Sequence, residues 1–369
     1  MRWPGLRGAF ILIGAAALMI IPTVLVLGGK PGPAAVVAPT PLGSNRDVRE
    51  SLPPRESPVT QATPTATPSA AAPTPTATAS TPRPSVAPTR SAAPPPPPAP
   101  VVPSFSHVFV IVMENHEYGS IIGSAAAPYI NSLASTYALA TNYFGASHPS
   151  LPNYLALTAG STFGITSDCT TCYVSATNIA DQVEASGRSW KAYMEDMPSP
   201  CFTGASAGNY AMKHDPFMYY NDIRTNAARC AGHVVPFSQF GADMTSGQVP
   251  NFTWITPNMC NDMHDCAVST GDGWLRSVVP TITGSAAFRN GGVLFITWDE
   301  GSSSAGCCGD AWGGRVATLV ISPRSIRGFR SSVAENHYGL LRTIEDGFHL
   351  AHLGAAGSSS STPLREYFR

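Results

Sequence analysis

Short apolar segments rich in β-branched residues recur between residues 106 and 322, and segments of helical character separate them. Strands are predicted over 106–113, 142–146, 188–194, 251–256, 292–298 and 315–322. Helices are predicted over 128–140, 152–159, 178–186 and 339–348. Nearly continuous apolar runs are typical of strands buried on both faces of a parallel sheet. Their alternation with helices predicts a doubly wound α/β sheet, in which functional sites collect at the carboxyl ends of the strands.

The proline content divides the chain into parts. Residues 31–103 hold 21 of the 35 prolines, mixed with Thr, Ser and Ala, so this stretch cannot pack a core and is predicted to be a disordered linker. A folded domain is expected over 104–354, followed by a C-terminal tail over 355–369. Residues 1–103 carry a net charge of +5 and residues 104–354 one of -7. The overall charged fraction of 12% argues against a nucleic-acid-binding protein.

The first 30 residues have the pattern of an export segment. Arg2 and Arg7 precede an apolar run over 8–29 that Lys30 closes. A positive start and an apolar core are typical of a signal peptide, but this run is also long enough to span a bilayer. A cleaved signal and an uncleaved signal anchor both fit. Either one predicts an extracytoplasmic protein that is secreted or held by residues 8–29 at the outer cell surface.

All eight cysteines lie in the acidic domain. An even number in an exported chain favours disulfides. Proximity in the sequence suggests the pairs Cys169–Cys172, Cys201–Cys230, Cys260–Cys266 and Cys307–Cys308. The alternative for Cys169 and Cys172 is a zinc site, although no second pair with that spacing follows.

Two carboxylate clusters directly follow predicted strands. Glu114 and Asn115 come after the first strand, and Asp299 and Glu300 come after the strand over 292–298. Adjacent carboxylates repel each other, and such a pair usually persists by sharing a cation. These positions predict a metal site at the edge of the sheet.

Ser150 stands at a predicted helix start, since Pro149 and Pro152 flank it. A hydroxyl at this position faces free backbone amides and the positive end of the helix dipole, which together favour a phosphate group. The alternative is an ordinary helix cap.

Three histidines lie in further polar segments. His264 follows Asp262 in a loop that a Cys260–Cys266 disulfide would tighten, which suggests metal binding. His214 is placed in a loop where it could contact a phosphate oxygen or protonate a leaving group. His337 stands at a predicted helix start. The alternative for His214 and His337 is a structural histidine.

The order of these motifs resembles the bacterial phosphoesterase family, which includes secreted acid phosphatases and phospholipases C and belongs to the alkaline-phosphatase-like superfamily. The motifs are Glu-Asn, Ser-Leu-Pro-Asn-Tyr, Asn-Asp-x-His, Trp-Asp-Glu-Gly and His-Tyr-Gly-Leu-Leu-Arg, and they cover about residues 105–352. The chain is most similar to the short branch of acid phosphatases and phosphatidylinositol 3-phosphate phosphatases. The resemblance implies a three-layer α/β fold.

The resemblance also implies roles for the residues that match the motifs. The roles are nucleophile for Ser150, acid–base catalysis for His264 and His337, substrate binding for Asn115, Asn153 and His214, and metal binding for Glu114, Asp262, Asp299 and Glu300. Glu300 stands where two-zinc relatives have His, and the oxygen-rich ligand set suits magnesium, calcium or manganese as well as zinc.

Three functions follow as hypotheses. The first is a metal-dependent phosphomonoesterase that forms a phosphoseryl intermediate and acts on a phosphate ester, with a phospholipid such as phosphatidylinositol 3-phosphate among the candidates. The second is a phosphodiesterase of the phospholipase C type. The third is a stalked surface protein without enzymatic activity. A monomer is expected in each case.

Overall fold

The computed structural model describes residues 100–369. The export segment predicted over 1–30 and almost all of the linker predicted over 31–103 lie outside the described residues. Within residues 100–369, no helix combines the length and the apolar character that crossing a membrane requires.

A mixed sheet of nine strands forms the centre of the domain. Its order is β10-β2-β9-β8-β1-β7-β3-β6, with β11 also pairing with β2. Only β9 runs antiparallel to its neighbours in this sheet, and β4 and β5 form a separate hairpin. The strands are β1 His107–Met113, β2 Ala138–Phe144, β3 Trp190–Met194, β4 Ser206–Ala207, β5 Tyr210–Ala211, β6 Val234–Pro236, β7 Phe252–Thr256, β8 Gly292–Trp298, β9 Arg315–Ile321, β10 Arg330–Ser331 and β11 Glu335–Asn336.

Helices cover both faces of the sheet, so the predicted three-layer, doubly wound α/β fold is confirmed. On one side α3 packs against α4 and α10, and in a second group α8 packs against α2, α7 and α9. The helices are α1 Tyr118–Ile121, α2 Pro128–Thr136, α3 Ser150–Ala159, α4 Ile179–Ala185, α5 Asn221–Arg224, α6 Ala227–His233, α7 Phe240–Ser246, α8 Val268–Thr283, α9 Ala286–Arg289 and α10 His337–Phe348.

The central strands are the ones that the apolar runs predicted. Every residue of β7 and β8 is buried, and so is every residue of β1 except His107. Strands covered on both faces have no polar side to show to water, which explains why these segments read as continuous apolar runs.

Two helical predictions differ from the structure. The helix predicted over 128–140 ends at Thr136, because Ala138 and Leu139 pair with β9 and tertiary contacts override their helical propensity. The longest helix within residues 100–369, α8, has no counterpart among the predicted helices, because it contains two glycines and an internal proline, Pro280. It is held by tertiary contacts: the Asp272 carboxylate accepts the backbone N–H groups of Tyr129 and Ile130 at the start of α2.

The segment 355–369, set apart as a tail in the sequence, packs against the domain. Leu364 and Tyr367 are fully buried, and the Tyr367 hydroxyl donates to the Glu335 carboxylate. The backbone of Phe368 bridges to Ser325. These residues therefore contribute to the core.

The two edges of the sheet differ in character. At the edge where β1 begins, the backbone N–H of Phe105 donates to Gly347 and that of Ser106 donates to Gly291. At the opposite edge, β1, β7 and β8 all end in polar loops, and β2 leads into the start of α3. The functional motifs of the sequence meet at this second edge.

The structure brings all eight cysteines together as the four predicted pairs. Cys260–Cys266 closes the loop after β7, and Cys169–Cys172 closes a loop that reaches the start of α3. The alternative of a zinc site at Cys169 and Cys172 is therefore not needed to explain their spacing.

Candidate active site

Ser150 is the first residue of α3, and its side chain does not cap the helix. Pro149 takes the capping position, and the Ser150 hydroxyl instead donates to Glu114 Oε2 at 2.9 Å. All ten residues of α3 are buried. The hydroxyl is thus held at a buried helix start that faces the end of β1.

Glu114 is the centre of the site. Besides Ser150, its carboxylate accepts the hydroxyl of Tyr154, one helical turn along α3, and His214 Nε2 lies 3.2 Å from Oε2. Glu114 is fully buried, and burial together with the charges of Asp299 and Asp262 raises its pKa well above the ordinary value.

Three further carboxylates share this environment. Asp299 accepts the backbone N–H of Asn115 at 3.1 Å, and burial raises its pKa to about 7. Burial also raises the pKa of Asp262 to about 7. Burial and the charge of Asp299 raise the pKa of Glu300 to about 9. These carboxyl groups therefore tend to keep their protons, and a bound cation would favour their ionised forms.

His214 lies between two of these carboxylates. Its Nδ1 is 3.3 Å from Asp262 Oδ2, and its ring stacks on Tyr154 with the centroids 5.3 Å apart. Burial, followed by the charges of Lys213 and His264, lowers the pKa of His214 well below the ordinary value. The ring is therefore neutral and able to bind a cation through a lone pair.

The donor set fits a divalent metal ion. Four buried polar atoms in this region have no hydrogen-bond partner among the described residues: Asn115 Oδ1, His214 Nε2, Asp262 Oδ2 and Asp299 Oδ2. Among residues 100–369, Glu114, His214 and His264 place possible ligand atoms within 4.8 Å of one another. A cation would satisfy these atoms and offset the charge of the carboxylates. His214 thus offers a nitrogen donor beside the carboxylates that the resemblance assigns to the metal, whereas His264 stays a candidate for acid–base catalysis.

His264 is the partly exposed histidine of the site. Its Nδ1 lies 2.7 Å from Asp265 Oδ1, so this nitrogen carries the proton and donates it to the carboxylate. Its Nε2 faces the Lys213 ammonium at 3.3 Å and therefore accepts. The backbone N–H of His264 donates to Asp262 Oδ1 at 2.7 Å, which fixes the loop after β7.

Two of the predicted site residues have their polar atoms fully engaged with the protein. Asn153 accepts the backbone N–H groups of Ala146 and Ser147 and donates to the carbonyls of Ser147 and Pro149, so it shapes the turn before Ser150.

His337 is likewise engaged on both ring nitrogens. It donates from Nε2 to the Asp299 carbonyl at 2.5 Å and accepts the Tyr143 hydroxyl on Nδ1. Burial lowers its pKa to about 4, so the ring is neutral behind the carboxylate loop.

His148 is a neighbour of the site that the sequence did not single out. Its Nδ1 lies 2.5 Å from Glu300 Oε2, and its Nε2 lies 3.0 Å from the carbonyl of Ser303. Since a carbonyl only accepts, Nε2 carries a proton, and a further proton is shared between Nδ1 and Glu300. Trp312, partly exposed, packs edge-on against the ring.

Three other residues were missed as well. Tyr154 lies four positions after Ser150, a spacing that places both side chains on one helix face and could have been recognised. Lys213 Nζ pairs with Asp168 Oδ2 at 3.1 Å, and Asp168 Oδ1 accepts the backbone N–H of Leu151 at 3.0 Å. No sequence periodicity predicts this long-range pair.

Comparisons with known proteins find relatives of this chain by sequence. The model of the phosphoesterase family matches residues 124–351. The chain is 34% identical over 258 residues to a phosphatidylinositol-3-phosphatase of Mycobacterium tuberculosis, covering 69% of this chain and 81% of that protein. An acid phosphatase of Aspergillus fumigatus is 29% identical over 262 residues, which cover 68% of this chain and 56% of that protein.

A solved structure supports the fold. A protein of the alkaline phosphatase superfamily from Vibrio parahaemolyticus superposes with a TM-score of 0.51 at 14% identity, over 72% of each chain. This likeness concerns the fold alone, whereas the family match and the relative at 34% identity concern the sequence. The chain belongs to the phosphoesterase family and is a hydrolase that acts on phosphoric ester bonds.

Proposed function

We propose that this protein is an exported, metal-dependent phosphomonoesterase whose nucleophile is Ser150. One observation carries the proposal: the Ser150 hydroxyl, at the start of a buried helix, donates to Glu114 inside a cluster of four carboxylates. A phosphate bound there would meet the positive end of the helix dipole and the cation that the carboxylates require.

In the first half of the reaction the Ser150 oxygen attacks phosphorus and the ester P–O bond breaks. The hydroxyl proton passes to Glu114 Oε2, which already accepts the hydroxyl, and a solvent proton goes to the departing alcohol on the opposite side of phosphorus. Tyr154 holds the other oxygen of Glu114 and thereby orients the acceptor. The product of this half is a phosphoserine.

In the second half, water hydrolyses the phosphoserine. His264 Nε2 carries a lone pair because Nδ1 donates to Asp265, so this nitrogen takes the proton of the attacking water, and Glu114 returns its proton to the Ser150 oxygen. His337 supports the site from behind, since it holds the backbone carbonyl of Asp299.

A divalent cation held by Glu114, Asp299 and their neighbours would neutralise phosphate charge and favour the ionised serine. The chain's own contribution is to gather the ligands at adjacent strand ends. Magnesium, calcium, manganese and zinc are the candidates.

Ser150→Ala tests the nucleophile. Removing a nucleophile costs several orders of magnitude in kcat, so turnover of p-nitrophenyl phosphate should fall at least about 1000-fold. Ser147→Ala is the matched control, because Ser147 is a buried serine of the same turn whose hydroxyl donates to a backbone carbonyl. Near-full activity of Ser150→Ala would refute the assignment.

The metal and the substrate are tested on the wild-type protein. Activity should vanish after chelation and return with one of the four metals. A panel of aryl phosphate, phosphatidylinositol 3-phosphate and phosphatidylcholine then defines the substrate. The named activity of the Mycobacterium tuberculosis relative motivates the phosphoinositide. Release of diglyceride from phosphatidylcholine would instead indicate a phosphodiesterase of the phospholipase C type.

Export is supported by the N-terminal pattern and by the cysteine pairs. Fractionation of the producing cell, with detection of both the intact and the shortened chain, distinguishes a cleaved signal from an anchor. Activity confined to the cytoplasm would contradict export.

A further inference from the structure

Lys213 lies at the rim of the carboxylate cluster. The chain has three lysines, Lys30, Lys191 and Lys213, so a lysine beside the site is distinctive. Its ammonium contacts Asp168 Oδ2 at 3.1 Å and His264 Nε2 at 3.3 Å. No role was expected for it from the sequence, and neither half of the proposed reaction uses it.

We propose that Lys213 is a substrate-binding residue whose ammonium leaves Asp168 to bind an oxygen of the phosphoryl group. In the free enzyme, the Asp168 carboxylate pairs with the ammonium that the substrate's phosphoryl group would bind. The proposal rests on the proposed phosphomonoesterase function and adds a specificity residue to it.

The position of Asp168 supports the exchange. Its second oxygen accepts the backbone N–H of Leu151, the residue directly after Ser150, so the pair reaches the start of α3. The Cys169–Cys172 disulfide closes the loop just after Asp168. The ammonium therefore rests close to where the phosphate would meet the serine.

The Lys213–Asp168 pair can be displaced. Its side chains are 20% and 27% exposed, so water screens the attraction. A lysine ammonium is a point charge on a flexible stem of four carbons and moves without rearranging the backbone. A phosphate dianion attracts it more strongly than a single carboxylate does.

The exchange also releases His264. While Lys213 donates to Nε2, that lone pair is occupied, and it becomes free when the ammonium moves to the phosphate. Substrate binding thus prepares the nitrogen that takes the proton of the attacking water.

The same charge gives selectivity. A phosphate monoester carries a second negative charge near neutral pH, whereas a diester carries one. A residue that binds the extra charge favours monoesters. Loss of the Lys213 ammonium should therefore reduce monoester hydrolysis more than diester hydrolysis.

Two substitutions with opposite expected effects test the proposal. Lys213→Met removes the ammonium and should weaken the binding of inorganic phosphate about 10- to 100-fold. Asp168→Asn keeps an oxygen for the Leu151 amide but frees the ammonium, so phosphate should bind several-fold more tightly. Binding is measured by calorimetry at saturating metal, and KM and kcat are measured with p-nitrophenyl phosphate and bis(p-nitrophenyl) phosphate.

The chain offers a matched control pair. Lys191 binds Asp243 at 2.7 Å, with side chains 21% and 26% exposed, on β3 and α7. Lys191→Met and Asp243→Asn should leave phosphate affinity unchanged. Melting temperatures of all variants separate loss of folding from loss of binding.

The outcomes separate the two proposals. If the wild type hydrolyses monoesters but Lys213→Met binds phosphate as tightly as the wild type, the role of Lys213 is refuted and the function stands. The role of Lys213 is equally refuted if Asp168→Asn binds phosphate more weakly than the wild type does. If the wild type neither binds phosphate nor hydrolyses monoesters, the proposed function itself fails.

Discussion

Glu335 allows a quantitative test of how burial sets charge in this fold. Its side chain is fully buried, Oε2 accepts the Tyr367 hydroxyl, and Oε1 has no hydrogen-bond partner within residues 100–369. Burial raises the pKa of this carboxyl from 4.5 to about 8, against the opposing effect of the Tyr367 hydrogen bond.

The sign of the pH dependence follows from this shift. Between pH 4.5 and 8 the folded protein keeps the proton and the unfolded chain releases it. The unfolded state therefore binds fewer protons, and the free energy of unfolding falls as pH rises. The contribution of Glu335 is fully present below pH 4.5. It is lost on approaching pH 8, with a ceiling of about 5 kcal/mol at about 1.4 kcal/mol per unit of pKa shift.

Glu335→Gln removes this titration and keeps the shape of the side chain. The variant should match the wild type within about 1 kcal/mol at pH 5 and exceed it by about 4 kcal/mol at pH 8. Urea denaturation at several pH values between 5 and 9 gives the two free energies, and their difference cancels the titration of all other groups.

Tyr367→Phe is the companion variant. It removes the hydrogen bond that favours the ionised carboxylate, so the decline in stability should extend to higher pH than in the wild type. A difference between Glu335→Gln and the wild type that stays constant from pH 5 to 9 would refute the reasoning.

Two further predictions concern the site. Tyr154→Phe removes the hydroxyl that donates to Glu114. A hydrogen bond to a charged group is worth about 1.5–3 kcal/mol, so kcat for an aryl phosphate should fall about 10- to 100-fold. An unchanged kcat would contradict the role of Tyr154. His337→Gln loosens the carbonyl of Asp299 and should weaken metal affinity about 10- to 100-fold, measured by metal titration. Since His337 holds the loop, kcat at saturating metal should be retained, and a large loss there would indicate direct acid–base catalysis.

The strands that build the site could be predicted because their burial leaves a local signature. The run over 292–298 was placed with its correct ends, and the carboxylates that follow it lie at the sheet edge as expected. The helix α8 carries the opposite signature, since Gly271, Gly273 and Pro280 all disfavour a helix in isolation. Contacts with α2 and other neighbours decide its conformation.

Some residues of the site could likewise be predicted from the sequence, and others could not. Residues that follow strand ends, such as Glu114 and Asp299, could be found because topology places all parallel strand ends at one edge. The pairing of Asp168 with Lys213 could not be predicted, because it depends on the path of two segments 45 residues apart in the sequence. The sequence also could not show that both polar groups of Asn153 are used by the backbone before Ser150.

The entry of the chain into β1 has a practical consequence. Phe105 and Ser106 are bonded to Gly347 and Gly291 at the edge of the sheet where β1 begins, and the polar cluster lies at the other edge. A fusion partner or a solid support joined rigidly at residue 100 would therefore meet the back of the domain. Immobilised in this way, the protein would present the edge with the polar cluster to the solution, which makes the N-terminal side the natural point of attachment for a surface-bound assay.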